Sequence, residues 1–264
     1  MSLGFGDVLS DHYSGMSSAM VSARSRLHAL RLRPRLGLAA LAAFLVAFPL
    51  VFLALAVRTG WEPLRRIDHG IADAVHRAVA RHDWAVSLGH AGDVVLHPWV
   101  FRLAVLGLVI VLVRRRAIRL AWWAGITMAV GSVLGFTLKL VMARARPDFD
   151  DPVATAPGYS FPSGHALNSA VGVLVLLLAV LPALPSLRAR VLAWAAGITV
   201  IVLTGLDRVA LGVHYVSDVT AAWVVAGALV AATAAAFETW RRDIGAPPHD
   251  PLEGVDPEDA RRLT

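Results

Sequence analysis

Apolar residues fall into six runs, at 36–57, 98–113, 117–137, 166–184, 191–206 and 219–237, separated by short polar or arginine-rich punctuation. A helix needs ~20 apolar residues to cross ~30 Å of hydrocarbon. Runs of this length predict an all-α, polytopic integral membrane protein with six transmembrane helices in a bundle. The first run holds 22 residues without a charge, interrupted by Pro49 alone. It is too long, and too far from the start of the chain, for a cleaved signal segment ending at Ala54-Leu55-Ala56. The second and fifth runs are shorter, and the second carries Arg102, which near a helix end can snorkel to water.

Between the first two runs, at 58–97, Ile67, Ile71, Val75 and Val79 recur every four residues among Arg, Asp and His. That spacing predicts an amphipathic helix, either packed on the end of the bundle or lying in the lipid headgroup layer. The expected organisation is a basic cytoplasmic tail at 1–35, a six-helix membrane domain at 36–237 and a polar cytoplasmic tail at 238–264. The last tail has four Arg against seven acids and a Pro247-Pro248 pair, and is expected to be disordered.

Composition narrows the class. With 57% apolar and 17% charged residues and a mean hydropathy of +0.62, the chain is neither disordered nor an ordinary soluble domain. The absence of cysteine removes disulfides, thiolate nucleophiles and thiolate-bound metals. A net charge of +6 does not imply nucleic acid, because the cations flank apolar runs instead of clustering on one soluble face. All the cations but Lys139 are arginines, and their placement orients the chain. One side collects 13 near the span ends, including Arg114, Arg115, Arg116 and Arg119, against nine on the other. The richer side is read as cytoplasmic.

Three polar clusters break the apolar pattern. Residues 139–147 follow the third run, 162–165 open the fourth, and 207–218 join the fifth to the sixth. Two crossings separate the last two clusters, so parity puts all three on one face, the extracytoplasmic one. Lys139 and Arg146 are seven apart, about two helical turns, so on a continuing helix both project from one side. Pro147 then ends the run. Ser163, Gly164 and His165 lie where a helix N-terminus would present free N–H groups to an anion. His214 and Asp218, four apart, can face each other so that the carboxylate fixes the ring tautomer. Gly212 lets the chain turn and bring Arg208 back. Each cluster alone fits an ordinary structural role: a snorkelling pair, a serine cap, a hydrogen-bonded His-Asp pair. Together they offer three cations, a helix N-terminus, two histidines and an orienting carboxylate, a set suited to a tetrahedral phosphate dianion.

The pattern Lys139-x6-Arg146-Pro147, then Pro162-Ser163-Gly164-His165, then Arg208-x5-His214-x3-Asp218 resembles the three-part signature of the type 2 phosphatidic acid phosphatase superfamily, which includes bacterial acid phosphatases and vanadium haloperoxidases. It departs from that signature at Asp207, where the family often has serine. The resemblance implies a lipid phosphate phosphatase of the cell membrane. His214 would attack phosphorus to give a phosphohistidine, Asp218 would orient its ring, and His165 would protonate the leaving oxygen and later activate water. Lys139, Arg146, Ser163, Gly164 and Arg208 would hold the phosphoryl oxygens, with no metal or cofactor. The implied substrates are phosphatidate, phosphatidylglycerophosphate or a polyprenyl diphosphate, held among membrane lipids, with no role for nucleic acid. No motif encodes oligomeric state. A neutral nucleophile with a protonated donor predicts a bell-shaped pH profile between ~5 and ~8.

Two other readings compete. An anion channel or transporter would use the same cations without chemistry, but calls for charges spread through the spans. A metallohydrolase would use His165, His214 and Asp218 with Asp148, Asp150 and Asp151, yet Pro147 and Pro152 bracket those acids as turn residues.

Overall fold

The computed structural model describes residues 48–245 and 254–263, and within them all regular structure is helical. In chain order the helices are α1 (Phe48–Arg58), α2 (Glu62–Val79), α3 (Asp83–Val95), α4 (Pro98–Arg114), α5 (Ile118–Met142), α6 (Gly164–Val180), α7 (Leu187–Ala210), α8 (Val216–Asp243) and the one-turn α9 (Pro257–Ala260). Most of the first expected span, 36–57, lies outside the described residues, with its end in α1. Among the described residues, five segments are long and apolar enough to cross a bilayer, and one of them, Asp83–Arg114, joins α3 and α4. The chain is a membrane protein.

Helix α6 is the axis of the bundle, with α4, α5, α7 and α8 around it. Its sequence explains that position. Ala166, Ser169, Ala170, Gly172 and Ala179 are all buried and small, which lets neighbouring backbones approach where lipid supplies no hydrophobic drive between helices. A Cβ on Gly172 would stand 2.8 Å from that of Phe101 on α4. Large apolar side chains such as Trp122, Val133 and Leu203 point outward instead, the normal inversion for a surface solvated by acyl chains.

Helices α5, α6, α7 and α8 alternate in direction. The C-terminal end of α5, the N-terminal ends of α6 and α8 and the C-terminal end of α7 therefore share one face, as parity required. The 20-residue stretch at 144–163, between Ala143 and α6, has no regular secondary structure and covers that face.

The expected amphipathic helix exists as α2 and packs on α7 and α8, burying Asp68, Ala72 and His76 while Ile67 and Ile71 are exposed. The reason is pairing. Asp68 meets Arg144 and Ser217, and His76 meets Asp151 and stacks on Phe149 at 4.0 Å. The tail expected to be disordered is structured at its end: α8 runs on to Asp243, and 254–263 pack against the opposite face of the bundle. Arg119 in the first turn of α5 pairs with Asp256, Glu258 and Asp259. The Leu120 N–H donates to Asp259, so tail acids satisfy the free N-terminal end of α5. Average composition hides this, because a few acids placed opposite one helix terminus suffice.

Candidate active site

The polar residues of the shared face line a cavity of about 600 Å³, whose walls include Asp93, His97, Phe136, Lys139, Leu140, Arg146, Gly164, His165, Arg208 and His214. The three sequence clusters meet there.

Lys139 stays on α5, but Arg146 does not share its helix. The helix stops at Met142 because Ala143 takes a left-handed conformation, φ +46°. The expected two-turn alignment is therefore replaced by convergence in space. The Lys139 ammonium donates to the Tyr159 carbonyl, and Arg146 donates to the carbonyls of Pro157, Gly158, Tyr159 and Val213 at 2.7–3.3 Å. Half-burial and nearby Arg208 together hold Arg146 below the usual guanidinium range, against the pull of Asp218.

Ser163 is fully buried and caps α6: its hydroxyl accepts from the Ala166 N–H, and its own N–H donates to the Asp218 carbonyl at 3.1 Å. Gly164 opens the helix beneath Lys139, whose Cε lies 3.6 Å from where a Cβ would be.

His165 and His214 enter the cavity from different elements. Nε2 of His165 lies 3.2 Å from Arg208 and 3.2 Å from Asp93. A ring without a proton at that nitrogen accepts from Arg208, and a ring carrying one donates to Asp93. Nε2 of His214 is 3.0 Å from Arg146, and its Nδ1 faces Asp218 at 3.4 Å. An Nδ1–H donated to Asp218 leaves the Nε2 lone pair on the cavity side. Burial pushes the His214 ring down to about 4, although its hydrogen bond with Asp218 acts in the other direction. The ring is thus neutral near pH 7.

Gly212, at φ +69°, makes the turn after α7, and the Val213 N–H donates back to the Arg208 carbonyl at 3.2 Å. Arg208 is buried and pairs with both Asp207 and Asp93. Asp207 packs where a Cβ on Gly92 would meet it at 2.5 Å. The acid preceding Arg208 thus fills a notch in α3 and faces the cation from behind.

Sequence reasoning missed four residues: Asp93 and His97, at the break between α3 and α4, and Asp68 and Arg144. The His97 ring meets that of His165 edge-on, with centroids 5.2 Å apart. The available signals were an acid and a histidine closing an apolar stretch, and an acid recurring with the helical period of α2.

The comparisons agree with this geometry. Residues 120–242 match the model of the PAP2 superfamily. This segment is similar to the PAP2 superfamily. It shares 35% identity over 102 residues with a phosphatidylglycerophosphatase B of Bacillus subtilis (strain 168), covering 37% of this chain and 50% of that protein. It shares 36% over 105 residues with an undecaprenyl-diphosphatase of Sulfolobus acidocaldarius, covering 38% and 47%. The alignments span about half the length of these relatives. The fold is also that of a transmembrane PAP2 type phosphatidylglycerolphosphate phosphatase from Bacillus subtilis, with a TM-score of 0.64 and 24% identity over 76% of this chain and 98% of the other. The site residues from Lys139 to Asp218 fall inside the matched segment, whereas Asp68, Asp93 and His97 precede it.

Proposed function

We propose that the protein is a membrane lipid phosphate phosphatase that works through a phosphohistidine. The observation carrying this reading is that His165 and His214 present Nε2 to one cavity already furnished with three cations. A phosphoryl group entering there takes over the donors of Arg146, Arg208, Lys139 and the N-terminus of α6. His214 Nε2 attacks phosphorus as the bond to the lipid oxygen breaks, and that oxygen takes the proton of His165. Water then attacks the phosphohistidine and gives a proton to His165. Inorganic phosphate leaves and His214 is neutral again. Asp93 fits as the acceptor for a proton on His165 Nε2, and Arg208 as the donor to the ring once it has given the proton up. Clamping by fixed cations supplies the charge stabilisation that phosphoryl transfer requires without a metal ion.

The apolar wall at Phe136 and Leu140 suits a substrate with a lipid tail. The names of the relatives favour phosphatidylglycerophosphate or a polyprenyl diphosphate, with phosphatidate a third member of the class. The arginine distribution favours the extracytoplasmic face of the cell membrane for the site. The test is release of inorganic phosphate by detergent-solubilised protein from these three lipids, with and without EDTA. Turnover insensitive to EDTA and abolished in His214→Ala supports the proposal. Full turnover in His214→Ala removes the nucleophile, and no release from any of the three removes the function.

A further inference from the structure

Asp68 stands on α2, outside the segment that matches the PAP2 superfamily, and is 1% exposed. It accepts from the Ser217 N–H at 3.0 Å, from the Ser217 hydroxyl at 2.5 Å and from Arg144 Nη2 at 2.8 Å. The other arm of Arg144 reaches Asp218 Oδ1 at 2.5 Å and the Ser217 hydroxyl oxygen at 2.7 Å. Its guanidinium lies over the Tyr215 ring, 4.3 Å from the centroid. The oxygens of Asp218 are thereby divided: Oδ1 belongs to Arg144, and Oδ2 accepts from the Tyr215 N–H at 3.0 Å and faces His214. A buried cation between two buried carboxylates is costly unless each is held by further hydrogen bonds, and truncating one member leaves an uncompensated charge. This array has those bonds.

We infer that Arg144 and Asp68 are positioning residues for the nucleophile, locking the Asp218 carboxylate so that one oxygen alone faces His214 Nδ1–H and the ring directs Nε2 at phosphorus. The inference rests on the role proposed above for His214. Arg144 has two effects. It prevents Asp218 from rotating away from the ring, and it draws off part of the carboxylate charge that would otherwise favour a protonated His214. Burial works against the charge on Arg144, but Asp218 and Asp68 outweigh it and hold the guanidinium above its ordinary range. The other groups facing His214 are Arg146 from the 144–163 stretch, Lys139 from α5 and His165 from α6, with Arg208 of α7 behind Arg146. Lys139 and Arg146 also act on Asp218 through space, but among the described residues the side-chain hydrogen bond to Asp218 Oδ1 comes from Arg144.

The experiment compares Arg144→Gln, Arg144→Lys and Asp68→Asn with the unsubstituted protein by two readouts: kcat and KM against pH for phosphate release, and the ¹⁵N imidazole titration of His214 in detergent, assigned by difference with His214→Gln. In Arg144→Gln, kcat falls about 10–100-fold with KM little changed, as for residues that orient a reacting ligand. Its His214 midpoint and the acid limb of kcat/KM rise together by about one pH unit as Asp218 loses its cation. Arg144→Lys keeps the charge, so its midpoint stays near that of the unsubstituted protein and part of kcat returns. Asp68→Asn lowers kcat and moves the midpoint down, because Arg144 then leans wholly on Asp218. Midpoints and limbs that do not move in any folded variant overturn the inference, whatever happens to kcat. Should the unsubstituted protein release no phosphate, the proposed function fails, while the ¹⁵N titration still decides whether Arg144 and Asp68 control His214. Should Arg144→Gln not fold, Arg144→Lys and Asp68→Asn give the same decision.

Discussion

At the scale of single residues, the site turns on which nitrogen of each histidine is free. In the proposed mechanism His214 attacks through a neutral ring, so protonation would remove the nucleophile. Because burial holds that ring at about 4 instead of near 6.5, kcat/KM should fall as pH drops through about 4 and stay level on the acid side between pH 5 and 7. This shifts the acid limb of the bell expected from an ordinary histidine below the window read from sequence; the alkaline limb reports loss of the donor proton. A pH series of phosphate release from one lipid substrate, down to the limit of protein stability, checks it. Motif spacing marked the ionisable residues of the third cluster but carried no information on the pKa of His214, since the shift comes from enclosure by α5, α6 and the 144–163 stretch. Asp207 shows the same limit. Its identity was legible, yet its seat against Gly92 of α3 depends on two helices meeting.

At the scale of elements, glycine and a helix terminus decide how the bundle closes. Gly172 lies where α4 crosses α6, and a branched side chain there collides with Phe101. Gly172→Val should destabilise the protein by about 1–3 kcal/mol through overpacking, seen as a lower Tm in detergent. On the opposite face, 254–263 tie α5 to the end of the chain through Arg119 and Leu120. A chain ending at residue 253 should lose roughly 1–2 kcal/mol of charge–terminus and ion-pair stabilisation, again as a lower Tm. Its KM should be unchanged, because the cavity is at the other end of the bundle. The hydrophobic runs revealed α4 to α8 because a lipid-facing helix needs a long apolar stretch whatever its neighbours are. They also marked α2 as amphipathic, but not that Asp68 and His76 would face protein while Ile67 and Ile71 stay exposed, because periodicity reports amphipathicity without saying which face meets protein.

At the scale of the whole molecule, alternating helices bring distant polar clusters to one membrane face. The absence of cysteine makes this directly testable. A single cysteine at Asp150, exposed in the 144–163 stretch, should react in intact cells with a membrane-impermeant maleimide. One at Arg114, exposed at the end of α4, should react only after permeabilisation. The reverse pattern would put the cavity on the cytoplasmic side.

The sequence by itself determined that the chain is a helical membrane protein and which residues of the 139–218 segment are candidates for phosphate chemistry, because span length and motif order are one-dimensional properties. It also determined that these clusters share a face, since parity needs only a count of crossings. Only the tertiary structure decided that α2 and α3 supply Asp68, Asp93 and His97, that Arg146 reaches the cavity from outside any helix, and that tail acids settle on α5. Those are contacts between segments far apart in the chain, formed because buried charges must find partners where the folded helices meet, and no local spacing encodes which partners those are.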